Sequence, residues 1–155
     1  MDFFIWLEGS ALSTWVREAD TVWAYPTVLT MHTFGLALLV GASGIFALRL
    51  LGVASRMPLH ALRPLFTVMW IGFWLNAVTG SLLFMADASR RAVSVLFLTK
   101  LLFVAIGVVS IVLVRRDVFA TGPEPVISSK ARMLAMVSLA VWVVAITAGR
   151  LLAYV

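Results

Sequence analysis

The sequence predicts an all-α integral membrane protein, with a single transmembrane domain over residues 1–155 built as a four-helix bundle and preceded by an amphipathic interfacial helix. Three observations carry this. Of 155 residues, 63% are hydrophobic and 12% charged, which is far more apolar than a soluble domain, and mean hydropathy is strongly positive. The apolar residues gather into four runs, each long enough for the roughly 20 residues a spanning helix needs. Several of the six Trp and two Tyr lie where those runs meet water, as interfacial aromatic belts do.

The first element is residues 1–20, MDFFIWLEGSALSTWVREAD. They open on an acid, lack a continuous apolar core and show no small-residue cleavage site, so they do not read as a signal peptide. Phe3, Phe4, Trp6, Leu7, Leu12, Trp15 and Val16 recur at helical spacing against Asp2, Glu8, Arg17 and Glu18, the pattern of a helix lying in the interface as an anchor or lid.

Four spans follow, at about 22–48, 64–86, 93–114 and 131–153. The connection "SRMPLHALRP" carries two prolines, "ADASRR" joins the second span to the third, and "RRDVFATGPEPVISSKAR" joins the third to the fourth; each combines turn and charge signals. No internal repeat is evident.

Lysines and arginines orient the bundle. Seven (Arg49, Arg56, Arg63, Arg115, Arg116, Lys130, Arg132) flank one side and three (Arg17, Arg90, Arg91) the other, so the richer side is expected in the cytoplasm and both termini outside it. The net charge of +5 does not point to nucleic acid, because these residues sit at the ends of apolar runs, where lipid head groups are the counter-charge. With no cysteine, disulfides, iron–sulfur clusters and thiolate metal sites are excluded.

Each helical residue advances about 1.5 Å, so distance along a span converts into depth. His32 is about ten residues, or about 15 Å, below the outer end of the first span. Asn76 reaches a comparable depth in the second, with Thr79 one turn nearer the surface. Lys100 lies about 10 Å into the third, and Thr147 and Arg150 occupy the outer turns of the fourth. Small residues lie three or four positions away, including Gly35 beside His32, Gly72 and Gly80 beside Asn76, and Gly107 beside Lys100. Ionisable groups at such depth are costly and normally face the bundle interior, so the expected site gathers His32, Lys100, Arg150, Asn76, Thr79 and Gly35, with His32 as metal ligand. For each the alternative is interhelical hydrogen bonding or snorkelling.

His60, in the proline-bounded inner loop, is expected at the surface and too far from His32 to share a metal or haem. The methionines are dispersed in depth and read as core fillers. The sequence holds no phosphate-binding loop, no H-E-x-x-H, and no acid within the four spans.

The stretches "YPTVLTMHTFGLALLVG", "LRLLG", "WIGFWLNAVTGSLLF", "LTKLLF" and "AGRLLAY" resemble a family of small four-helix bacterial inner-membrane proteins of uncharacterised function. That family usually has an acid three residues before the histidine, where this chain has Leu29. The first-span histidine and the lysine of "LTKLLF" are more distantly similar to copper-resistance D membrane proteins and to the bacterial membrane protoporphyrinogen oxidase, which binds haem b and passes electrons to quinone. By that resemblance His32 and Lys100 are the carried-over positions.

The residues themselves are compatible with haem b. A neutral imidazole ligates iron from one side, Gly35 and Gly107 would leave flat space for a macrocycle, and Lys100 with Arg150 would pair with propionates or a quinone carbonyl. The second axial position is open between a five-coordinate iron and a neutral Lys100. The leading expectation is thus a redox or electron-transfer protein working with quinone. The alternatives are a non-catalytic accessory subunit or homo-oligomeric scaffold, with Gly41 and Gly44 as a small-residue strip, and copper or small-solute transport.

Overall fold

A computed structural model describes residues 2–53, 55–119, 127–152 and 154. Among these the chain forms helices and no strands. Four helices are long and apolar enough to cross a membrane: α3 Tyr25–Leu50, α4 Pro64–Met85, α6 Val95–Phe119 and α7 Ser129–Leu151. They fall on the four expected spans. The largest shift is at the end of α6, which runs on to Phe119 and so takes Asp117 into its last turn. The expected span 93–114 holds no acid; in the added turn Asp117 accepts a hydrogen bond from the Ser128 hydroxyl, tying the end of α6 to the start of α7. Residues 120–126, within the third connection, and 153, at the expected end of the fourth span, lie outside the described residues.

Local chemistry sets the helix ends. Gly52 takes φ +100°, a left-handed conformation that glycine adopts without penalty. It allows Val53 N to donate to Leu48 O at 3.0 Å and Gly52 N to Arg49 O at 3.2 Å, closing α3 with a Schellman turn. Pro64 occupies the first turn of α4, where its missing N–H costs nothing. Ser128 caps α7 by accepting from Ala131 N at 2.9 Å, satisfying one of the unpaired donors at a helix start. His60 lies exposed in a 3-10 turn, Leu59–Leu62, as expected of the inner loop.

The N-terminal segment is two helices, α1 Asp2–Glu8 and α2 Ala11–Glu18, where one was expected. Gly9 and Ser10 interrupt it, and the Ser10 hydroxyl accepts from Ser13 N at 3.3 Å to restart the helix. The pair docks onto the α4 end of the bundle. The buried Ser13 hydroxyl donates to Met85 O at 2.8 Å, filling a carbonyl that the end of α4 leaves unpaired. Glu8 accepts from Ser89 N and Ser89 Oγ, both at 2.8 Å, next to the short helix α5, Ala88–Ala92. These bonds hold the Glu8 carboxyl below its usual range.

The long helices pair as α3 with α4 and α6 with α7, and the two pairs join where α3 meets α7. The α3–α4 crossing is so close at Gly35 and Gly72 that a Cβ at Gly72 would lie 2.6 Å from Leu39 N and 2.8 Å from Gly35 O. On the other pair Gly107 leaves space that the Trp142 ring fills, its Cζ2 being 2.8 Å from where a Cβ would stand. Trp142 donates from Nε1 to Ser43 Oγ at 3.2 Å, and Ser43 lies 3.3 Å from Ser138 Oγ, so α3, α6 and α7 lock around one buried indole. Helices α4 and α6 meet chiefly through side chains, including Phe84 against Phe97 and Phe66 against Phe119. A groove therefore runs between them. Of the methionines, Met69 is buried, whereas Met31, Met57, Met133 and Met136 are exposed on the bundle surface, so core filling describes only part of the set. Other large apolar side chains, such as Ile71, Trp74, Leu98 and Leu102, share that surface, a distribution that suits hydrocarbon and not water.

Candidate functional site

Helix α3 presents His32 to α4 one turn before the Gly35 crossing. The contact is reciprocal: His32 Nδ1 lies 3.1 Å from Asn76 O and 3.1 Å from Thr79 Oγ1, while Asn76 Nδ2 donates to His32 O at 2.9 Å. A backbone carbonyl only accepts, and the Thr79 hydroxyl already donates to Leu75 O at 2.6 Å. Both partners therefore require Nδ1 to carry the proton, and in the neutral ring Nε2 keeps its lone pair. Nε2 has no hydrogen-bond partner among the described residues.

His32 stands on the shared wall of two cavities. The larger, about 380 Å³, occupies the α4–α6 groove between Phe73, Asn76, Phe84, Phe97 and Lys100. Exposed Leu101 forms part of its rim, so it opens on the flank of the bundle. The smaller, about 160 Å³, leads from His32 and Lys100 towards Tyr25, Arg91 and Gly149. Phe84 and Phe97, stacked at 5.2 Å, stand between the two. Gly80 and Gly149 make the room: a Cβ at Gly80 would lie 3.0 Å from His32 Cε1, and one at Gly149 would lie 3.5 Å from Lys100 Cε.

Lys100 is half-buried and makes no hydrogen bond or ion pair among the described residues. Arg91 reaches the smaller cavity while paired with Asp87 at 3.3 Å. Among the described residues no acid lines either cavity. The combined surface is apolar and aromatic, with one imidazole lone pair and a cationic edge, which suits a largely apolar molecule bearing a carboxylate or carbonyl group.

Of the expected residues, His32, Asn76, Thr79 and Lys100 converge here. Gly35 does not border the cavities: a Cβ there would meet Asn76 N at 2.7 Å and Gly72 O at 3.0 Å, so its space is taken by α4. The flat space expected at Gly35 and Gly107 is filled by a helix and by an indole. Arg150 is exposed and lines neither cavity, and Thr147 is exposed with its hydroxyl bonded to Val143 O of its own helix. Gly80 makes room beside the polar residues as expected, whereas Arg91 and Gly149 were not expected at the site. The signal for Arg91 was the brevity of "ADASRR", which is too short to carry it far from the start of α6. Among the described residues no three His, Cys, Asp or Glu come together, so a bare metal ion at this cavity would meet a single imidazole. No protein-family model matches the chain, and no curated protein and no solved structure matches it either.

Proposed function

We propose that this chain is a haem b-binding membrane protein with a redox or electron-transfer role, working with a quinone. The observation that carries the reading is the committed Nδ1–H of His32, which leaves Nε2 as a bare donor on the wall of an apolar, aromatic cavity. A histidine that would hold haem iron through Nε2 commonly has its other ring nitrogen held in this way by a carbonyl. Arg91, in the place expected of Arg150, would offer a cationic partner for a propionate, and Lys100 would either do the same as an ammonium or, as a neutral amine, ligate the iron. Bound haem would supply one-electron chemistry; the protein's part is to orient the imidazole through Asn76 and Thr79 and to exclude water with Phe73, Phe84 and Phe97. The resemblance of His32 and Lys100 to the haem-binding oxidase supports the same reading. We place the chain in a bacterial inner membrane with both termini extracytoplasmic, from the seven-to-three division of basic residues, so that the cavity lies in the outer leaflet.

The test is the visible spectrum and pyridine haemochrome of protein expressed with ample haem and purified in mild detergent. A Soret band is expected, lost in His32→Ala with helix content kept. Folded wild-type protein without a Soret band refutes the reading. It would then favour a non-catalytic scaffold, for which the reciprocal His32–Asn76 bonds joining α3 to α4 are themselves the supporting observation.

A further inference from the structure

We propose that the opposite end of the α4–α6 groove is a binding site for an anionic phospholipid, its phosphate held by Arg115 and Arg116 and its acyl chains lying over Phe66, Trp70, Ile111 and Val112. The site is independent of the His32 cavity, which occupies the other half of the same groove. Its cavity measures about 420 Å³, and among the described residues no acid lines it. The floor is an aromatic cluster in which Phe66 packs on Phe46 at 4.9 Å and on Phe119 at 5.9 Å.

Two guanidinium groups at this end of the groove are stacked on rings of the aromatic cluster. Arg63 lies over the Phe119 ring at 4.7 Å and Arg115 over the Phe66 ring at 5.5 Å. A guanidinium stacked on a ring keeps the N–H donors at its edge available. Among the described residues Arg63, Arg115 and Arg116 make no ion pair, and the neighbouring acid, Asp117, is bonded to Ser128. Two cations, Arg115 and Arg116, therefore line an apolar slot, with Arg63 over Phe119 next to it and exposed Val109 and Leu113 beside it, in the part of the bundle that faces lipid. A soluble phosphate would satisfy the rim and leave the slot bare, whereas a zwitterionic lipid would bring its own ammonium against the arginines. A phospholipid with net negative charge satisfies both parts, as basic pockets between spanning helices do.

Trp70 in the slot is a built-in reporter. The full chain is reconstituted in phosphatidylcholine vesicles containing increasing fractions of brominated phosphatidylglycerol or brominated phosphatidylcholine, and the Trp70 signal is taken as the difference between wild type and Trp70→Phe. Quenching by the brominated phosphatidylglycerol is expected at a mole fraction lower by roughly fivefold for each arginine that engages it. Arg115→Gln with Arg116→Gln should abolish the preference while quenching by brominated phosphatidylcholine stays unchanged, which also shows that the variant is folded. Arg132→Gln, on α7 and outside the groove, should keep the preference. The proposal is overturned by equal quenching from the two lipids, by a preference that survives the double substitution or falls equally in Arg132→Gln, or by complete reversal with inorganic phosphate.

Discussion

Replacing Gly35 by alanine tests how α3 and α4 are held together. The new Cβ would lie 2.7 Å from Asn76 N, where ordinary contact begins at 3.4 Å. Both nearest atoms, Asn76 N and Gly72 O, are backbone, so no side-chain rotation relieves the clash and the helices must part by about 0.7 Å. That movement stretches His32 Nδ1 to Asn76 O from 3.1 Å to about 3.8 Å, beyond hydrogen-bond range. Overpacking of this kind costs about 1–3 kcal/mol, and the lost interhelical bonds add about 0.6 kcal/mol each. Alanine's better helix propensity returns up to about 1 kcal/mol, leaving a net loss of about 1–3 kcal/mol. Gly41→Ala on the same helix, where nothing stands within 4 Å of the added methyl, collects only the propensity gain. Reversible unfolding in mixed dodecylmaltoside and dodecyl sulfate micelles, followed by far-ultraviolet circular dichroism, compares the two. If Gly35→Ala proves no less stable than Gly41→Ala, the close crossing is refuted.

Gly107→Ala should push the Trp142 ring off Ser43 and cost about 1–3 kcal/mol by the same overpacking argument, with near-ultraviolet circular dichroism losing the signature of a fixed indole; an unchanged spectrum would contradict the packing at 2.8 Å. Glu8 gives a pH dependence. Its native carboxyl titrates below the unfolded value, about 4.3, so its contribution is complete above that pH and fades as pH falls through the lowered native value. Hydrogen exchange in residues 2–18 should therefore rise below about pH 4, and Glu8→Gln should show raised exchange already at pH 7; a flat profile in wild type would remove Glu8 from the docking.

The spans were legible because roughly 20 apolar residues in a row have few other uses, and depth was legible because helical rise is constant. Depth alone brought His32, Asn76, Thr79 and Lys100 to one level, and the structure brings them to one place. Direction around the helix was much harder to read. In a membrane the inward and outward faces are both apolar, so the periodicity that marks a buried face in water is missing. Arg150 shows the consequence: correct in depth, it points out of the bundle. The small residues of α7 held the missing information, since buried Ala131, Ala135, Ser138, Ala145 and Ala148 mark the packed face, and a residue two places beyond Ala148 lies about 200° round the helix. Gly35 and Gly107 mislead for a related reason. A missing side chain states that something comes close, and here it was a backbone and an indole. The break at Gly9 and Ser10 was visible as a glycine followed by a capping residue, but the overall amphipathic pattern of residues 1–20 masked it.

The gap between α4 and α6 also decides which concentration matters. Both large cavities along it are lined partly by exposed residues, so in a bilayer any molecule that enters them would come from a two-dimensional fluid by sideways diffusion. Competition there is governed by mole fraction among lipids. A molecule of modest intrinsic affinity can fill such a cleft if it partitions strongly into the bilayer, and a tight aqueous binder that stays in water will never reach it.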